Sequence, residues 1–116
     1  MTFEQLKELV EQWAKDKGIL EKATPLAQIG KTEEEVAELR EALVAQNNDM
    51  QTYFNMKGYQ KKTNEEIKDA IGDILVTLII QAKMQNVDIV ECLNGAYNII
   101  AKRTGKMVNG TFVKDS

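Results

Sequence analysis

Glu66-Ile67-Lys68-Asp69-Ala70-Ile71-Gly72-Asp73-Ile74-Leu75-Val76-Thr77-Leu78-Ile79-Ile80 is the stretch on which the fold turns. Ile67, Ala70, Ile71, Ile74, Leu75 and Leu78 recur at spacings of three and four, with Ala82 continuing the row, and that is the period of an α-helix. From Ile74 to Ile80 only Thr77 is polar. A helix that is apolar nearly all round is buried on both sides. In a chain of 116 residues one side is covered by the other helices, and the second is expected to meet another subunit. Thr63-Asn64-Glu65-Glu66 has the form of a capping box and predicts the start of this helix.

Three further helices are predicted on either side. The first spans about Thr2 to Lys17, capped by Thr2 with Gln5 three residues on, and places Phe3, Leu6, Leu9, Val10 and Trp13 on one stripe. The next begins after Thr24-Pro25, where Thr caps and Pro fits the first turn. Gly30-Lys31 is a point where it is expected to break, with Thr32 capping a fresh start and Val36, Leu39 and Leu43 as its apolar row. Residues 47–62 are polar and read as a connecting loop, in which Tyr53, Phe54 and Tyr59 serve either as anchors or as stacking groups. The last helix runs from about Asp88 to Arg103, with Asp88 as N-cap and Ile89, Leu93, Ala96 and Ile100 facing the core. After it, Asn109-Gly110 within an alternating tail predicts a short hairpin or an arm laid over a neighbour. The expected architecture is all-α: one four-helix domain over residues 1–104, a tail over 105–116, and assembly into a helical-bundle oligomer, a homodimer or homotetramer.

Composition removes several function classes. There is no histidine, so triads, imidazole zinc sites and histidine-containing di-iron motifs are excluded. The single cysteine, Cys92, has no disulfide partner and reads as a core residue. A net charge of −3 without a basic face argues against nucleic acid as a partner. No segment is apolar for long enough to span a membrane, and the N-terminus lacks a signal-peptide pattern, so a cytoplasmic location is expected. Chemistry here falls to carboxylates, amines, hydroxyls and a hard metal ion.

The carboxylates are patterned. Glu33, Glu34, Glu35, Glu38 and Glu41 lie on the second helix, where a plain solvated face is the ordinary reading. Glu35 and Glu38, however, share a face and abut Val36 and Leu39, at the edge of the buried row. Glu66, Asp69 and Asp73 line one face of the third helix, and Asp73 directly precedes its most apolar run. A carboxylate there is costly to bury unless it is neutralised. Two acidic ledges meeting across a helix contact call for bridging cations, and all-oxygen ligation is the preference of Mg²⁺ or Mn²⁺. The expectation is a metal site for a phosphorylated ligand.

Lys31-Thr32-Glu33-Glu34-Glu35-Val36-Ala37-Glu38-Leu39, followed by Asp69-Ala70-Ile71-Gly72-Asp73-Ile74-Leu75, resembles the MazG-like all-α nucleoside triphosphate pyrophosphohydrolases, most nearly their short, phage-type variants. Their pattern is Glu-x-x-Glu on one helix and Glu-x-x-Asp on the next. Trp13, Tyr97-Asn98 and Lys102-Arg103-Thr104-Gly105 extend the likeness over most of the chain. Ala70 stands where the family usually has Glu, with Asp69 one position earlier as a substitute. The resemblance implies a nucleoside triphosphate substrate cut between its α- and β-phosphates with Mg²⁺ as cofactor. It implies Glu35, Glu38, Asp69 and Asp73 as metal ligands and Glu34 as the group that orients or deprotonates water. Lys31, Asn98, Lys102 and Arg103 would bind the phosphates or sugar, although Lys102 and Arg103 also suit a helix C-terminus. Trp13 reads as core sooner than as a stacking platform. The competing reading is a non-catalytic helical bundle that binds nucleotide or serves assembly.

Overall fold

The computed structural model describes residues 1–47 and 57–115, with the side chains of 57–62 outside that description. The expected roles of Tyr53, Phe54 and Tyr59 therefore lie outside the described residues. The chain is predominantly helical and ends in a small two-stranded sheet. Helix α1 is Phe3–Asp16, α2 Ile19–Lys22, α3 Pro25–Asn47, α4 Lys57–Met84 and α5 Ile89–Ile100; strands β1 (Gly105–Val108) and β2 (Thr111–Lys114) follow.

Local chemistry accounts for the ends of these elements. Thr2 and Gln5 form the expected capping box, with the Gln5 amide donating to Thr2 Oγ1 at 3.1 Å and the Thr2 amide donating to Gln5 Oε1 at 2.8 Å. Gly18 takes φ +77° as the chain leaves α1, and the single turn α2 follows, which periodicity did not reveal. Thr24 Oγ1 accepts from the Ala27 amide and caps α3. At the end of α4, Asn86 adopts φ +57° while the amides of Asn86 and Val87 donate to the Lys83 and Ala82 carbonyls, a Schellman closure. Asp88 then caps α5 by accepting from the Val90 amide at 2.8 Å.

Two expected boundaries are corrected. Helix α3 runs through Gly30-Lys31 unbroken. A helical Gly costs only about 1 kcal/mol and keeps its N–H, so packing along α4 overrides it. The loop expected up to residue 62 ends earlier, because the backbone is helical from Lys57. Lysine and glutamine are good helix formers, and a polar stretch is not by itself a loop signal. Thr63, expected as a cap, is instead a buried residue inside α4.

Helices α3 and α4 form the body as an antiparallel pair, since Gln81 Nε2 donates to the Pro25 carbonyl while Thr32 meets Thr77. Helices α1 and α2 pack on α4, and α5 meets α4 near their connecting turn. The tail is the expected hairpin, pairing Gly105 with Lys114 through Val108 with Thr111. Asn109 (φ +50°) and Gly110 (φ +81°) make its turn, the left-handed pair of a type I′ connection. A Cβ on Gly105 would collide with the Val113 carbonyl oxygen and the Phe112 ring, so the hairpin closes only over glycine.

The core is small. Ala14, Ala42, Ala70, Ile79 and Ile80 are its buried apolar residues, joined by Gln28, Thr32, Thr63 and Thr77, and no large described side chain is fully buried. The apolar rows read from the sequence sit on the helices as expected but are not covered within the chain. Phe3, Leu6, Leu9 and Trp13 on α1, and Ile71, Leu75 and Leu78 on α4, all remain exposed. Leu93 and Ile100 on α5 are exposed too, and so is Cys92, which was expected in the core. No helix among the described residues is long and apolar enough to cross a membrane.

Candidate metal centre

The site begins with a buried polar clasp. Thr77, the lone polar residue of the apolar run, donates to the Ile74 carbonyl at 2.7 Å and accepts from Thr32 Oγ1 at 2.9 Å. Gln28 Nε2 donates to the Thr77 carbonyl at 3.1 Å. These bonds join residues more than forty positions apart and set the register of α3 against α4. A buried group left unpaired costs about 1–3 kcal/mol, so a slip of one residue is disfavoured. With Thr32 opposite Thr77, residues one turn along each helix must face each other: Glu35 and Glu38 on α3, Asp73 on α4.

One carboxylate oxygen from each of Glu35, Glu38 and Asp73 lies within 4.8 Å of the others. Glu35 is half-buried while Glu38 and Asp73 are exposed. Glu35 Oε2 is shut away from solvent and has no hydrogen-bond partner among the described residues. A buried carboxylate oxygen beside two more carboxylates is an arrangement that a hard divalent cation would satisfy, by donor type and by charge.

The electrostatics agree with the geometry. Burial pushes the Glu35 carboxyl above its ordinary value of 4.5, reinforced by a hydrogen bond with Glu38 and by the negative charges of Glu38 and Asp73, while Lys31 opposes the rise. A raised acid pKa means that the folded chain holds a proton the unfolded chain has already lost. Without metal, stability from this group is therefore highest below about pH 4.5 and falls as pH rises through the interval up to the folded value. Melting curves in chelator across the acid range should show this decline against Glu35→Gln, in which it disappears. Added Mg²⁺ should offset it, increasingly so as the pH rises.

Asp73 stands between two cavities. On one side is a polar cavity of about 500 Å³ lined by Glu38, Glu41, Ala42, Glu66, Asp69, Ala70 and Asp73. On the other, a smaller one of about 250 Å³ has Trp13, Ile19, Val76 and Ile80 as apolar walls, with Lys31, Glu35 and Asp73 at its rim. Trp13, expected in the core, is 48% exposed and lines this second cavity.

The other expected site residues are distributed unevenly. Asp69 lines the polar cavity but is not one of the three converging carboxylates. Ala70 is buried beside Ala42 where the two helices approach, so the position of the family's usual Glu serves packing. Lys31 Nζ lies 3.0 Å from Glu34 Oε2, and this exposed pair holds Glu34 outside the trio. Asn98, Lys102 and Arg103 follow on α5 and its exit, all exposed, and line neither cavity. The Gln28–Thr32–Thr77 clasp escaped the sequence reading; the isolated Thr77 in an apolar run was its one visible trace.

No family model matches this chain. No solved structure matches it either. It is similar to the "Uncharacterized 18.2 kDa protein in rep-hol intergenic region" of Haemophilus phage HP1, with 34% identity over 86 residues. The match takes in 74% of this chain and 43% of that phage protein, so the chain spans less than half of its relative's length.

Proposed function

We propose that the protein is a Mg²⁺-dependent nucleoside triphosphate pyrophosphohydrolase with a four-helix core of the all-α MazG-like type, working as a cytoplasmic homo-oligomer. The observation that carries this reading is the convergence of Glu35, Glu38 and Asp73 around a buried, unpartnered Glu35 oxygen. Glu35, Glu38 and Asp73 would hold the ion, with Mn²⁺ as a possible replacement. A bound Mg²⁺ would offset phosphate charge and lower the pKa of a water molecule.

The residues of the chain divide the remaining work. Asp69, Glu66 and Glu41 extend the acidic wall beyond the trio and suit further hydrated cations between protein and triphosphate. Lys31, at the rim of the second cavity, is placed to meet a phosphate oxygen if it leaves Glu34. Glu34, once released, would be the carboxylate nearest in sequence for orienting water. Trp13, half-exposed over an apolar floor, suits a flat base.

Burial of Ala70 at a usual ligand position favours one second reading, a protein that binds nucleotide without cutting it. Incubation with Mg²⁺ and a panel of ribo- and deoxyribonucleoside triphosphates separates the two by products. Monophosphate plus pyrophosphate is the expected outcome. Diphosphate plus orthophosphate would place the cut at the wrong bond and end the proposal. Quenching of Trp13, the sole tryptophan, without any product would favour the binding protein.

A further inference from the structure

Two elements at the C-terminal end stand without cover. Helix α5 has 12 residues, a length at which isolated helices are marginal in water. The hairpin has two strands of 4 residues each, and a lone two-stranded hairpin is marginal as well. Yet every residue from Glu91 to Asp115 is exposed. Leu93, Tyr97, Ile100, Met107, Phe112 and Val113 leave between 47% and 66% of their surface in water. Neither element is stable on its own terms, so a surface outside this chain must hold them.

The size of the deficit indicates what that surface is. The chain exposes 9160 Å², whereas a compact monomer of 13.1 kDa exposes about 6,400 Å². Its radius of gyration is 17.7 Å against about 13 Å for a compact domain of this length. The excess of roughly 2,800 Å² per chain is on the scale of an obligate homodimer interface.

We infer that a second copy of this chain covers α5 and the hairpin, in a dimer whose C-terminal arms lie on each other's bodies. The chain carries its own matching surface: an apolar groove of about 370 Å³ lined by Leu6, Leu9, Val10, Trp13, Asp73 and Val76. Charge complements shape. Residues 101–116 hold four of the 15 basic groups and one of the 18 acidic groups, so the tail is +3 and residues 1–100 are −6. A basic tail is drawn to an acidic body, and a second copy supplies that body at the same concentration as the tail. The interface is isologous, so each arm both covers and is covered.

The test needs no nucleotide and stands or falls apart from the enzymatic reading. Sedimentation of the full chain at tens of micromolar should give twice 13.1 kDa or a larger even multiple. Leu93→Glu/Tyr97→Glu should reduce this to the single-chain mass. Leu26→Glu, at a residue 84% exposed on α3 and outside the arm, should leave it unchanged. Hydrogen exchange guards against simple misfolding: α3 and α4 amides should stay protected in the double variant while α5 amides lose protection. A wild-type monomer would overturn the inference, as would a double variant that keeps the wild-type mass.

Discussion

Glu38→Gln is expected to lower turnover at least ~100-fold, because loss of groups that merely support a metal ligand already costs about 10–100-fold. The substitution keeps side-chain length and replaces a charged donor by a neutral amide. Free of metal, the same variant should be no less stable than the wild type. Glu38 sits among like charges, with Glu35 and Asp73 oxygens within 4.8 Å, and removing one charge relieves repulsion. The rise in melting temperature that Mg²⁺ gives the wild type should shrink or vanish. Asp73→Asn is expected to behave in the same way. Glu41→Gln should keep most of the activity, since Glu41 lines the polar cavity without joining the trio. Single-turnover product formation and calorimetry with and without Mg²⁺ check all three. Unchanged turnover in both Glu38→Gln and Asp73→Asn would remove the metal centre from the mechanism.

Ala14→Leu is expected to destabilise the fold by about 1–3 kcal/mol, the usual cost of overpacking a filled contact. Ala14 is 0% exposed and is the most completely buried apolar residue of the small core. It lies on α1, which packs against α4, and a methyl is the largest group that contact admits. In a domain of this size the loss corresponds to a fall in melting temperature on the order of 5–15 °C. Trp13 is its neighbour in sequence and would move with the helix, widening the second cavity. A rise in KM larger than any change in kcat should accompany the loss of stability. Measured at one fixed protein concentration, a melting temperature equal to that of the wild type would show that α1 is not seated as described.

Much of the fold was legible beforehand because its signals are local. The Thr2–Gln5 capping box, the Asp88 cap and the Asn109-Gly110 turn each depend on groups within a few residues, and each appears where expected. Glu35 and Glu38 were placed on one face by spacing alone, with Asp73 beside the apolar run, and these are the carboxylates that converge. Where local signals misled, packing had overruled them. Gly30 does not break α3, and helix begins at Lys57 inside a stretch read as loop.

The sequence by itself determined which residues are helical and which faces are apolar or acidic, because a helix repeats every 3.6 residues and its caps answer to nearest neighbours. Only the tertiary structure decided which faces meet. The Thr32–Thr77 clasp, across 45 residues, chose the register that gathers Glu35, Glu38 and Asp73 and leaves Asp69 on the cavity wall. It also decided that Trp13 borders a cavity and that α5 stands uncovered. Register and coverage depend on volumes and hydrogen bonds between distant segments, and no one-dimensional period contains them.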